Sequence, residues 1–128
     1  MNEEKIKAWS KIKHFSWTEF DSPDLVDSGL NMNLELVLTL DMIREDVKTP
    51  LFITSGFRTP QHNAKVSKVE KSEHTTGNAA DIACSDGVFR DKIVRSAMKH
   101  GVRRLGIAKG FVHIGFSYDL PQDVIWLY

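Results

Sequence analysis

The chain has 128 residues and one cysteine, with 17 Lys+Arg balanced by 17 Asp+Glu and a formal net charge of 0. That length supports one domain with its own core, residues 1–128, and is too short for two. Balanced charge offers no field for nucleic acid or anionic lipid, and the lone Cys84 excludes both a disulfide framework and a four-thiolate metal site.

The N-terminal stretch MNEEKIKAWSKIKHF is charged and lacks the apolar run of a secretion signal. No run of about 18 apolar residues follows it, so the chain is expected to be cytoplasmic at synthesis and not membrane-bound. Residues 1–32 predict no single regular element. Within them, Ser16 and Glu19 have the spacing of a capping box, which predicts a short helix that turns Trp17 and Phe20 toward the core.

A helix is predicted over Asn33–Val47, where Leu36, Leu40, Ile43 and Val47 recur at helical spacing and Glu35, Asp41, Arg44 and Glu45 face water. Pro50 ends it. Leu51–Thr54 predicts a short strand running into the loop SGFRTP, and Asn63–Lys71 predicts loop or a single helical turn. After Gly77 the segment AADIACS alternates, with Ala79, Asp81 and Ala83 on one face and Ala80, Ile82 and Cys84 on the other. Small neighbours leave space around Asp81. A second helix capped by Ser85 or Asp86 runs to His100, and Gly101 stops it. Leu105–Ala108, Phe111–Phe116 and Val124–Tyr128 complete the pattern as three short strands. The class is α+β, with a small, mostly antiparallel sheet flanked by helices.

Among five histidines, His74 and His113 lie in segments otherwise built from small or apolar residues, and Asp81 follows His74 by seven positions. Two imidazoles and one carboxylate can hold zinc and leave a fourth position open. Such a spacing also suits capping or core roles, and spacing alone leaves the alternatives open. His62 reads as a loop residue, and His14 and His100 as surface positions.

The wording of the segment goes further. Ser72-Glu73-His74-Thr75-Thr76-Gly77-Asn78-Ala79-Ala80-Asp81 matches S-x-H-x-x-G-x-A-x-D, preceded by Ser55-Gly56-Phe57-Arg58 and followed by Phe111-Val112-His113-Ile114. These three blocks, in this order, resemble the zinc D-Ala-D-Ala carboxypeptidases, a family that also resembles murein endopeptidases and the hedgehog signalling domain. The resemblance runs from about Phe15 to the C-terminus. It implies that fold, a Zn2+ ion on His74, Asp81 and His113, Arg58 as substrate anchor or oxyanion stabiliser, and Ser72 at the substrate edge.

One family feature is missing. Most members place an acid three residues before the last histidine, where it serves as general base. Here that position is Gly110, and Ile107 occupies the hedgehog-like position six residues before. Lys109 is cationic, Glu73 is expected to point away from the ligand beside it, and Asp119 reads as a turn former, so the base stays unassigned.

The resemblance implies hydrolysis of peptide bonds in the stem peptides of peptidoglycan, by a monomer of the kind encoded in phages and prophages, acting at the wall after release or within a virion. The alternative is a non-catalytic module in which zinc stabilises the same scaffold. Arg103-Arg104 is too short a basic run for nucleic acid.

Overall fold

Helix formation follows the apolar spacing where that spacing is long enough to register. The computed structural model describes residues 3–128 and contains α1 (Glu3–Trp9), α2 (Leu34–Val47), α3 (Pro60–Val66) and α4 (Gly87–Lys99). In α2 the Asn33 side chain caps the Glu35 N–H, and Leu36, Val37, Leu40, Ile43 and Val47 are buried. The helix ends on Lys48 in the left-handed region. The Asp86 side chain caps α4 at Phe89 N–H.

The expectations differ from the structure at three places. Asp41 is buried rather than solvent-facing, because its carboxylate accepts the N–H groups of Lys13 and His14 at 2.7 and 3.0 Å and ties the loop after α1 to α2. The segment expected as loop or a single helical turn from Asn63 begins earlier, as α3, with Pro60 in its first turn and Thr59 Oγ1 accepting from His62 N–H at 3.1 Å. Residues 3–9, not assigned from sequence, are helical. The predicted turn at Ser16 is present as a 3-10 helix over Trp17–Phe20, and Glu19 accepts the Ser16 N–H at 2.8 Å.

The sheet contains β1 (Ile53–Ser55), β2 (Ala79–Ala83), β3 (Arg104–Ile107), β4 (Phe111–Gly115) and β5 (Val124–Leu127), in the order β1-β2-β4-β3-β5. Every pairing is antiparallel except β3 with β5. The α+β class and the mostly antiparallel sheet are therefore as the sequence predicts.

Alternation along the strands divides the sheet into two faces. Ala80, Ile82, Leu105, Val112 and Ile114 join the core with Leu36, Leu40 and Ile43 of α2 and Ile93 and Ala97 of α4. Each fully buried Leu or Ile contributes about 1.5–3 kcal/mol, so this layer fixes strand register. The opposite face is free to carry polar groups. Among the described residues no helix is long and apolar enough to cross a membrane.

Candidate metal centre

Register brings the polar residues of that second face into one row. Ser55 pairs with Asp81, Asp81 with His113, His113 with Gly106 and Gly106 with Trp126, so the row crosses all five strands. Directly opposed residues share a face and approach closely. His113 Nδ1 lies 2.8 Å from Asp81 Oδ1. Because Gly106 has no side chain, the rings of Trp126 and Tyr128 settle over β3, and the Trp126 ring centre is 5.2 Å from that of His113.

His74 reaches the row from a separate turn. Ser72 caps a 3-10 helix over Glu73–Thr76, its Oγ accepting the His74 N–H at 3.3 Å. The turn is tied to the loop after β1 by Arg58 N–H donating to the His74 carbonyl at 3.1 Å. Gly77 then reverses the chain into β2 with φ +74°, and a Cβ there would fall 2.2 Å from the Asn31 carbonyl oxygen. Left-handed backbone costs a non-glycine residue roughly 1–2 kcal/mol before any clash. Gly77→Ala is therefore expected to lower unfolding free energy by at least ~2 kcal/mol, read as a lower urea midpoint with unchanged slope.

The donor atoms of His74, Asp81 and His113 all lie within 4.8 Å of one another, and all three residues are buried. His74 Nδ1 is 2.8 Å from the Gly56 carbonyl oxygen, which can only accept, so Nδ1 carries the proton and Nε2 keeps its lone pair. His74 Nε2 faces Asp81 Oδ1 at 3.4 Å. Each imidazole thus has one nitrogen engaged away from the centre and the other directed toward Asp81. That arrangement, two nitrogens and one carboxylate oxygen, suits zinc.

Arg58 and Ser72 stand at the edge of the same cleft, which has a volume of about 710 Å³. The guanidinium is held by Ser55 Oγ at 3.0 Å and Asn63 Oδ1 at 3.2 Å, and its Nη2 lies 3.7 Å from Asp81 Oδ2. Trp126, Tyr128 and Phe111 form an aromatic wall.

Glu73 engages the other histidine, a contact the sequence did not reveal: Oε2 is 2.6 Å from His113 Nε2, and Arg104 Nε donates to Oε1 at 3.1 Å. Gly115 was the available signal, since a glycine inside an apolar strand marks a close approach, and Glu73 is what approaches. Asp119 is exposed in a turn, and Lys109 and Gly110 form the exposed β3–β4 hairpin. Among the described residues lining the cleft, Glu73 and Asp81 are the carboxylates.

Electrostatics bind the cluster together. Burial pushes the Glu73 and Asp81 carboxyls up, but hydrogen bonds from His113, with Arg104 at Glu73 and His74 at Asp81, outweigh it and hold both at about 2. For His113 burial acts downward, and the two carboxylates outweigh it and raise the imidazole above 6.5. The carboxylates therefore stabilise the fold above their ordinary values of 4.5 and 3.8, and this is lost as pH falls toward about 2. The His113 contribution is complete below 6.5 and is lost as pH rises through its raised value. Metal-free protein is expected to melt highest between about pH 4.5 and 6.5, and roughly 5–10 °C lower toward pH 2, by calorimetry with chelator present.

A sheet face that gathers two imidazoles and a carboxylate at the floor of a cleft, with an arginine beside them, has the ground plan of a zinc peptidase. The chain belongs to the peptidase M15 family, whose model, Peptidase M15, matches residues 6–115. The matched segment contains all three candidate ligands and ends at β4, before Trp126 and Tyr128. No curated protein matches the chain.

Proposed function

We propose that the protein is a single-domain, monomeric zinc peptidase that hydrolyses peptide bonds in the stem peptides of bacterial peptidoglycan. The observation that carries the reading is the convergence of His74 Nε2, Asp81 Oδ1 and His113 Nδ1 in a cleft large enough for a short peptide. Zinc held by His74, Asp81 and His113 would supply Lewis acidity to the scissile carbonyl and to the attacking water.

The chain's own residues do the rest. Arg58 is pre-set by Ser55 and Asn63, so its remaining donors can take a substrate carboxylate or the oxygen that gains charge during attack. The Ser72 oxygen is engaged with His74 N–H, which leaves its hydroxyl hydrogen for a peptide carbonyl. Trp126 and Tyr128 exclude water from one side of the cleft. The cell-wall substrate and an origin in a phage or prophage, with action after release or within a virion, extend the resemblance carried by the three sequence blocks.

The test is digestion of purified peptidoglycan and short stem peptides by zinc-loaded protein, with His113→Ala as control and mass spectrometry of the products. Defined peptide fragments that vanish in the control establish the peptidase. One observation favours a second reading, a zinc-stabilised binding module: Gly110 replaces the family's acid, and both cleft carboxylates are already engaged. One bound zinc per chain without cleavage of any substrate selects that reading.

A further inference from the structure

Glu73 is a charged side chain in a place where charge is costly. It is 6% exposed and lies against β4 at Gly115, where a Cβ would fall 2.3 Å from Oε2. Its two oxygens accept from four donors on three segments. Oε2 takes His113 Nε2 at 2.6 Å and Arg104 Nη2 at 3.3 Å. Oε1 takes Arg104 Nε at 3.1 Å and Ser117 N–H at 3.2 Å. Arg104 is itself anchored, donating from Nη1 to the Pro121 carbonyl at 2.6 Å with its guanidinium 5.0 Å from the Trp126 ring centre.

A carboxylate so saturated with donors has no lone pair left to take a proton from water. It also sits on the Nε2 side of His113, whereas Nδ1 faces Asp81 at 2.8 Å. A role as general base is therefore excluded by placement. What the contact does is fix the ring: rotation of the imidazole would exchange Nε2 for carbon and leave the buried carboxylate without that donor.

We propose that Glu73, braced by Arg104 and Ser117 and admitted by Gly115, is the positioning residue of the metal centre, holding His113 with Nε2 protonated and Nδ1 presented to zinc. This rests on the reading that His74, Asp81 and His113 hold the ion. Outer partners of this kind increase ligand basicity and typically contribute 10–100-fold to metal affinity.

Two variants separate positioning from bulk stability. Glu73→Gln keeps the shape but removes the charge and has one acceptor oxygen in place of two, so either His113 Nε2 or the Arg104 Nε and Ser117 N–H pair faces an amide NH2 instead of an acceptor. Gly115→Ala leaves Glu73 intact and places a methyl where its carboxylate lies. Zinc affinity is measured by competition with a chromogenic chelator, and the His113 Nε2–H of the zinc-loaded protein is followed by 15N-edited NMR. Calorimetry of the metal-free forms gives stability separately. Both variants are expected to bind zinc 10–100-fold more weakly than the parent. In both, the His113 Nε2–H is expected to exchange faster with water. A folded variant of either kind that binds zinc within about threefold of the parent, with its Nε2–H still protected, overturns the assignment and leaves Glu73 a structural ion. A parent that takes up no zinc overturns the metal reading itself, and the positioning role with it.

Discussion

His113→Ala is expected to lose zinc affinity by well over the ~100-fold that removal of an outer partner costs, because it deletes one of three donors directly. His74 Nε2 and one Asp81 oxygen remain, and two protein ligands do not make a stable tetrahedral zinc site. The loss is legible in stability as well as in metal content. Zinc at about 1,000 times its dissociation constant stabilises a folded protein by ~4 kcal/mol, so the parent's melting temperature should rise on loading and that of the variant should not. His100→Ala is the matched control: His100 pairs with Asp46 at 2.8 Å at the end of α4, away from the cleft, and its removal should leave the zinc-induced rise intact. A variant at His113 that still shows the full rise would place the ion elsewhere.

Gly110→Asp is expected to raise kcat/KM on a stem peptide by on the order of 10²-fold, the lower part of what a positioned acid–base group contributes. Position 110 is where the resembled family carries its acid, and the two carboxylates of the cleft are not free to replace it. Asp81 faces both histidines, and Glu73 is saturated by His113, Arg104 and Ser117. The hairpin can accept the change, since a Cβ at Gly110 would meet nothing within 4 Å. Steady-state kinetics of the zinc-loaded variant against the parent read the effect, with melting temperature as the check on folding. A rate equal to or below the parent's would show that proton transfer is not what limits hydrolysis, or that the hairpin does not deliver an acid to the reacting atoms.

The parts of this fold that were legible in sequence are those in which side-chain period is repeated often enough to register. α2 shows apolar residues at helical spacing over four turns, and β2 alternates Ala80 and Ile82 inward with Asp81 outward, so each declares its buried face. α1 and α3, with seven residues each, are too short to show a period. α3 is recognisable only by its start, Thr59 and Pro60. Asp41 reads as a solvent residue on the helical wheel, and only the tertiary path of residues 13 and 14 buries it.

The candidate site divides in the same way. His74, Asp81 and His113 are marked by their wording, and the structure brings them together through the Asp81–His113 register and the turn at Gly77. What the sequence did not show is that Glu73, in the 3-10 turn with His74, reaches His113 forty positions later and lies against β4 at Gly115. Arg104 was dismissed as half of a short basic pair, and its burial follows from a carboxylate 31 positions earlier in the chain. Such a pairing leaves no local signal beyond Gly115.

Zinc K-edge X-ray absorption of the protein loaded with one equivalent of zinc reads the centre most directly. Coordination by two imidazole nitrogens and a carboxylate oxygen, with one further oxygen from outside the protein and no sulfur, is the result expected of an open, hydrolytic site on His74, Asp81 and His113. A shell filled entirely by protein ligands, one that includes the sulfur of Cys84, or a protein that retains no zinc would contradict it.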